Sequence, residues 1–453
     1  MSANRQRRST VGLRACTLGL AGLGLLGLAS AANAQVGSFG GQGGPVLQPP
    51  PVAAPGREDP FNNRSRDYTA LPVGDWLLYP TVFFGATYDT NVRQTAVNPT
   101  SSWGGRLVPS ILAERNDGIH KTSLYGMADA RFYSDNGNGS GATADTLAAR
   151  TGIIERWQPM LDLVVNAQFD FTRQRDLFST FGIDHSVTTL NPTAIGLAPT
   201  ANPLPYNQLA GTLSVQKTFD RAFVSVGGSV VGIQFDTDPL FSQPSPNGTT
   251  YTGVVRGGFW FTPFLYAYGE GQFDQRTYNL DQFDSHGYRT VAGIGTDQIG
   301  LFRGEVYAGY QSERHDFAPL GTVNGAVAGG RIYYYPLREL TISASVDETL
   351  GVSLLETVPG TIGSNTRATT ALLQASYALA QEWTAGARAG FIRTDFVNTT
   401  RTDDAWTAGA TVTYSVWRNF GLTFDYQHVA LSSNVPLQDF TRDVVTVGGT
   451  YRY

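Results

Sequence analysis

From residue 77 to the end of the chain, apolar and polar residues alternate in long runs of about 10–15 positions. The clearest run spans residues 161–171. Leu161, Leu163, Val165, Ala167, Phe169 and Phe171 fall on one side of an extended chain, and Asp162, Asn166, Gln168, Asp170 and Thr172 on the other, with Val164 the exception. Successive side chains of a strand point to opposite faces, so this run has one apolar wall and one polar wall. The same scheme sets Phe302, Gly304, Val306, Ala308 and Tyr310 against Arg303, Glu305, Tyr307 and Gln311. It sets Trp383, Ala385, Ala387, Ala389 and Phe391 against Thr384, Arg388 and Thr394, and Leu422, Phe424 and Tyr426 against Thr423, Asp425 and Gln427. Residues 223–236 carry valine and glycine on both faces and are read as a strand from their length and neighbours.

The breaks between runs are of two kinds, and they take turns along the chain. Tight ones fall near Asn116-Asp117-Gly118, Gln158-Pro159, Asp220-Arg221, Thr262-Pro263, Gly300, Leu337-Arg338, Gln381-Glu382 and Arg418-Asn419. Long polar ones fall at 135–145, 176–206, 237–249 and 353–365. Tight turns at roughly 40-residue intervals, each period holding one strand up and one down, give about 18 strands, with 16 as the alternative. The fold expected is all-β: a transmembrane, antiparallel, up-and-down β-barrel over residues 76–453. A β-propeller shares the 40-residue period but needs four short strands per blade and a recurrent Gly-His or Trp-Asp pair, neither of which occurs. Aromatic residues gather beside the tight turns (Trp157, Phe219, Phe259, Trp260, Phe261, Tyr333, Tyr334, Tyr335, Trp383, Trp417 and Phe420). They are expected to form a girdle at one membrane interface, where a ring can keep one wet edge.

The N-terminus has a different texture. Arg5, Arg7, Arg8 and Arg14 precede or flank a short apolar run, residues 18–29, which is followed by Ala32-Asn33-Ala34. A basic region, an apolar region too short to span a bilayer and a small-x-small site describe a secretory signal peptide over residues 1–34, cut between Ala34 and Gln35. Arg7-Arg8 hints at twin-arginine export, but Ser9-Thr10-Val11 does not extend that pattern, and the general secretory route suits a chain that crosses unfolded. Residues 35–75 are Gly-rich and then Pro-rich, without periodicity, and read as a disordered periplasmic leader that either contacts a partner or is a plain linker.

Composition narrows the class. The only cysteine is Cys16, inside the signal segment, so the processed chain is expected to hold no disulfide and no thiolate metal site. Removing the four signal arginines from 32 basic residues leaves 28 against 37 acidic ones, a net charge of −9, which excludes a basic nucleic-acid footprint. Charged residues make up 15% of the chain, aromatics 12%, and glycine contributes 52 residues. Few charges, many glycines and many rings suit a wall greasy outside and polar inside. His120, His185, His286, His315 and His428 have no metal-ligand spacing; there is no Gly-x-Ser-x-Gly elbow, P-loop or dinucleotide fingerprint, and no cofactor or enzymatic activity is expected. Some 40 Pro/Gly-rich residues are too few to fold into the plug of a TonB-type receptor, and neither that class nor an autotransporter with a passenger ahead of the barrel is expected.

Two stretches carry resemblances. The last eight residues, Thr446-Val447-Gly448-Gly449-Thr450-Tyr451-Arg452-Tyr453, resemble the C-terminal signal by which outer-membrane barrels are recognised by the barrel-assembly machinery; Gly448, Tyr451 and Tyr453 occupy its positions. The segment YPTVFFGATYDTNVRQT, followed by Trp103 and LVPSILAE, resembles a family of outer-membrane β-barrel porins associated with exopolysaccharide operons. Tyr79, Pro80, Tyr88, Asp89, Asn91, Val92 and Pro109 carry the match. The resemblance implies a location in the outer membrane of a Gram-negative bacterium, contact with its lipid, and a conduit for secreted polysaccharide working with a periplasmic export partner. A general porin for small hydrophilic solutes is the alternative, and a non-conducting structural or adhesive barrel is a third reading.

Alternation nominates the lumen lining. Arg131, Arg150, Asp170, Glu270, Arg303, Glu305, Arg331, Arg388 and Asp425 alternate with apolar neighbours and are expected to face inward, as are Asp129, Arg156, Asp162 and Asp274. They form either a charge-selective ring or a set of mutually paired ions; the mixed signs favour pairing. Tyr266, Tyr268, Tyr307 and Tyr333 are also placed inward, where bare rings would suit sugars. Residues 176–206, with Pro192, Pro199, Pro203 and Pro205, form either an inward-folded constriction or an exposed outer loop.

Overall fold

The computed structural model describes residues 70–134, 145–174, 205–236, 247–352, 365–380, 382–397 and 399–453. The signal segment with Ala34 and Gln35, most of the leader and most of each of the four long polar breaks lie outside the described residues.

The described chain is almost wholly strand. A three-residue strand, β1 (Leu71–Val73), is followed by β2 (Trp76–Asp89), β3 (Ser102–Asn116), β4 (His120–Tyr133), β5 (Thr146–Met160), β6 (Leu163–Gln174), β7 (Tyr206–Phe219), β8 (Ala222–Phe235) and β9 (Gly248–Trp260). Then come β10 (Leu265–Tyr278), β11 (Ser285–Ile299), β12 (Phe302–His315), β13 (Thr322–Leu337), β14 (Leu340–Val352), β15 (Asn365–Ala378), β16 (Trp383–Phe396), β17 (Thr402–Trp417), β18 (Phe420–Ser433) and β19 (Phe440–Arg452). A 3-10 turn, Asp281–Phe283, interrupts the series between β10 and β11.

Each long strand pairs antiparallel with the next, and β19 pairs back onto β2 from Val444↔Asp89 to Arg452↔Thr81, so 18 strands close into a ring. Closure answers the bilayer's main demand, because an open edge in hydrocarbon would strand a row of N–H and C=O groups. The ring strands are 12–16 residues long, enough for the roughly 9–11 residues a tilted strand needs to cross.

Alternation sorts the side chains as expected. Even-numbered β12 residues such as Val306 and Tyr310 are exposed on the outer wall, whereas Glu305, Tyr307, Gln311 and Glu313 are buried on the inner one. The irregular run at 223–236 is β8. Its inner face carries Phe223, Val231, Ile233 and Phe235, all buried in the lumen, so apolar residues sit on both of its faces for two different reasons.

All eight predicted tight turns are reversals, two of them displaced. The chain reverses at 161–162 rather than at Gln158-Pro159, and at 338–339 just past Leu337. In both cases a proline, Pro159 or Pro336, sits in a register shift at the strand end, where its missing N–H costs no ladder bond. The turn after β3 has Gly118 at φ +89°, with the Asp117 carboxylate accepting the N–H groups of Ile119 and His120 at 3.0 and 2.7 Å. Those two donors, His120 first, hold the Asp117 carboxyl below its ordinary value of 3.8.

Three expectations are corrected. Leu71–Val73, within the stretch read as a leader without periodicity, pairs with β2 as far as Leu71↔Leu78 through a turn at Gly74, φ +60°. Trp260 and Tyr333 are not girdle residues: their parity turns them into the lumen, where Trp260 lies 4.6 Å from the Tyr266 ring and Tyr333 sits opposite Arg303. Proximity to a turn does not decide the face; the count along the strand does. Asp162 is not in the lumen either. It sits in the turn before β6, 2.5 Å from Lys217, and that hydrogen bond holds its carboxyl below the ordinary value.

Candidate functional site

The inner wall carries ion pairs, some within one strand, some between neighbouring strands and some reaching over one or two strands. On β2–β4 and β19, Arg442 pairs with Asp89 at 2.7 Å, Tyr133 donates to Asp89 at 3.0 Å, and Arg106 and Arg131 both reach Asp129, at 2.7 and 3.2 Å. On β5–β6, Arg150 meets Asp170 at 2.8 Å, and the Tyr125 hydroxyl donates to the same carboxylate. On β9–β12, Arg256 pairs with Glu270 at 2.8 Å and extends to Glu305 at 3.3 Å; Tyr266 also donates to Glu305. Arg276 holds Asp274 and Glu313 at 3.3 and 3.1 Å. Arg289 reaches Asp347 across two strands at 3.4 Å, joined by the Tyr307 hydroxyl. Arg388 pairs with Asp425 at 3.1 Å, with Thr411 donating to the same carboxylate.

Seven of the nine nominated lining residues (Arg131, Arg150, Asp170, Glu270, Glu305, Arg388 and Asp425) therefore lie in these pairs. Arg303 and Arg331 are half-buried on the lumen faces of β12 and β13, with Arg331 opposite Glu305 in register. Arg303 makes no ion pair among the described residues. Sequence reasoning missed Asp89, Arg106, Arg256, Arg276, Arg289, Glu313, Asp347 and Arg442, which carry about half of the network. Their parity was countable, but several sit in strands with glycine and valine on both faces, so the polar wall is hard to pick out.

Three of the four inward tyrosines do not present open rings, and the fourth, Tyr333, is half-buried. Tyr266, Tyr268 and Tyr307 are 4%, 4% and 7% exposed. Gly293 and Gly295 on β11 leave the space in which the Tyr268 and Tyr266 rings lie flat against the wall, and a Cβ at either position would collide with them. The Arg256 guanidinium covers the Tyr268 ring at 3.9 Å.

At the loop end the inner wall turns apolar. Tyr206, Val231, Ile233, Phe235 and Tyr278 from β7, β8 and β10 pack with Phe283 and Leu320 from the 279–284 and 316–321 connections, which tuck inward over them. On the far side Ile392, Ala405, Val429, Leu431 and Phe440 form a second buried patch.

The C-terminal residues divide by face. Tyr451 and Tyr453 point outward and are exposed. Gly448 points inward at the β2–β19 seam, where a Cβ would stand 2.5 Å from the Phe83 ring and collide with the Phe84 carbonyl. At the loop end of that seam lie Tyr88, Asp89, Asn91 and Val92, four of the residues that carried the second resemblance; Tyr79 and Pro80 lie at the opposite end of β2 and Pro109 in the middle of β3. Asn91 donates to Thr95 and to the Thr441 carbonyl of β19, at 2.9 and 3.1 Å, and Val92 packs on Tyr133.

The model of one protein family, described as "Putative beta-barrel porin 2", matches residues 67–453. No curated protein matches the chain. Among solved structures, the chain is similar to OpdK of Pseudomonas aeruginosa crystallised with vanillate (10% identity, 83% of this chain and 99% of that one, TM-score 0.42). It is also similar to the outer-membrane channel DcaP of Acinetobacter baumannii (11% identity, 85% and 100%, TM-score 0.39) and to the siderophore receptor PirA of Acinetobacter baumannii (7% identity, 83% and 80%, TM-score 0.42).

Proposed function

Since the chain belongs to the beta-barrel porin family that matches it from residue 67 to its end, and is thus a β-barrel porin of the Gram-negative outer membrane, we propose that it is a passive pore for small hydrophilic solutes. The observation that carries this reading is the inner wall: cations and anions paired strand to strand inside a ring whose outer wall is apolar. Such a wall offers solutes fixed dipoles and alternating charges without a dominant sign, which fits weak, multi-site contact and passage. No bond-making chemistry is assigned to it.

A polysaccharide conduit, the other reading, calls for aromatic faces on which sugar rings could slide. The buried rings of Tyr266, Tyr268 and Tyr307 weigh against it. Purified barrel in a planar bilayer separates the possibilities. A diffusion pore gives stable open channels that small sugars traverse and long glycans leave unaffected. Block by a defined polysaccharide supports the conduit and an export partner, and absence of any channel supports a structural or adhesive barrel.

A further inference from the structure

β13 and β14 are paired only over their tight-turn half. The ladder begins at Leu337↔Leu340 and stops at Gly329↔Asp347. Beyond that point β13 goes on pairing with β12 as far as Arg314↔Thr322, and β14 with β15 as far as Val352↔Asn365. Both strands continue, but apart.

The end of β14 lies over the lumen face of its former neighbours. Gln311 shares the inner face of β12 with Glu305 and Tyr307. Its Nε2 donates to the Leu350 carbonyl at 3.0 Å, and its Oε1 accepts the Leu350 N–H at 3.2 Å. Asn365 at the start of β15 donates to the Leu320 carbonyl at 2.6 Å. The Arg367 guanidinium lies against Gly325 on the inner face of β13. By alternation Leu350 and Arg367 belong to the outer faces of β14 and β15, yet Leu350 is fully buried, as is Val327 on the inner face of β13. The outer face of one strand pair is thus laid on the inner face of the other, like an overlapping shingle.

The same residues fit a second arrangement. Continuing the register past Gly329↔Asp347 sets Val327 opposite Thr349 on the lumen side and Ala326 opposite Leu350 on the lipid side, so every face keeps its chemistry. In an antiparallel ladder, the N–H and C=O that Leu350 gives to Gln311 are the pair it would exchange with Ala326. The Gln311 amide therefore substitutes for a strand. Two packings that satisfy the same backbone groups are the raw material of a two-state element.

We propose that the loop-end halves of β14 and β15 form a flap in the wall. Folded in and held by Gln311, the flap narrows the lumen; zipped onto β13, it widens it. The effect on current rests on the pore reading, whereas the movement does not.

The double variant Ala326→Cys/Leu350→Cys reports the zipped state, since a hydrogen-bonded antiparallel pair at about 5.5 Å between Cα atoms is within disulfide reach. The variant Gln311→Cys/Leu350→Cys, bridged by a short bis-maleimide, reports the folded-in state. The only native cysteine, Cys16, lies far outside the barrel sequence. Heat-modifiable migration on gels confirms folding, and linkage is read on the same gels without current. Both pairs are expected to link in folded barrels, Gln311→Ala to speed disulfide formation at 326/350, and oxidation of that pair to raise single-channel conductance reversibly. Failure of 326/350 to oxidise in folded protein, even with Gln311→Ala added, overturns the flap. Equal conductance of the two linked forms overturns its gating role. Barrels that link both ways but pass no ions sink the pore reading and leave the movement standing.

Discussion

Two seams of the ring differ in a way that sequence distance does not predict. The β2–β19 seam joins residues hundreds of positions apart, such as Thr87 and Thr446, whose hydroxyls meet at 3.2 Å. The β13–β14 seam joins strands separated by a two-residue reversal. Yet the distant seam is tied along its length and the local one opens halfway. At the closing seam, Gly85 and Gly448 receive the Phe83 ring, Arg442 reaches across to Asp89, and Asn91 ties the β2 corner to the Thr441 carbonyl. At β13–β14 the backbone ladder stops at Gly329↔Asp347, and the Gln311 side chain of β12 takes up the Leu350 backbone of β14 instead. A ring needs its last joint fixed, because no connecting turn holds it. A joint held by a turn can afford to part.

The comparison can be broken in order of expected effect. Gly448→Leu should be the most damaging single change, since even a Cβ there collides with the Phe84 carbonyl and the Phe83 ring; folded, heat-modifiable barrel should fall to a small fraction of wild type, while Gly325→Ala, at the open seam, should fold well. Arg442→Ala comes next. It leaves Asp89 fully buried with its main partner gone, a loss on the order of 3–5 kcal/mol in urea unfolding from lipid vesicles, and Arg442→Ala/Asp89→Asn should recover much of it. Gln311→Ala should cost only about 1 kcal/mol, the size of an ordinary hydrogen bond, because zipping offers Leu350 another partner. Lys217→Ala, at an exposed turn pair, should leave the unfolding midpoint within scatter. The smallest effect is one of pH. The Asp117 carboxyl is held low by the N–H groups of His120 and Ile119, so its contribution to the turn is complete above its ordinary value of 3.8 and is lost as pH falls through the lower folded one. Asp117→Asn should flatten that acid limb by lowering stability slightly at neutral pH, to about the level the wild type reaches in acid.

Much of this was legible in the chain. A period of two is local, so residues 161–171 declare their two faces without help from the rest of the molecule, and a tight reversal such as Asn116-Asp117-Gly118 is written in turn chemistry. The closing seam was half legible: Asp89, Asn91 and Val92 stood out as a motif and Gly448 as part of a terminal signal, but that they meet follows only from closure. The pairing of Arg256 with Glu305 and the parting of β14 from β13 were not legible. Parity gives a face, whereas partners three strands away depend on register, and Leu350 reads as lipid-facing whether or not the strand stays in the wall.

The central claim is that alternate residues face lipid and lumen around a closed ring. Nitroxide labels placed one at a time from 163 to 173 on β6 test it most directly, by oxygen and nickel-chelate accessibility in lipid vesicles. Oxygen should peak at 163, 165, 167, 169 and 171 and dip at the residues between, with the chelate never matching those peaks. A helical period, or high chelate access at every position, would contradict the barrel outright.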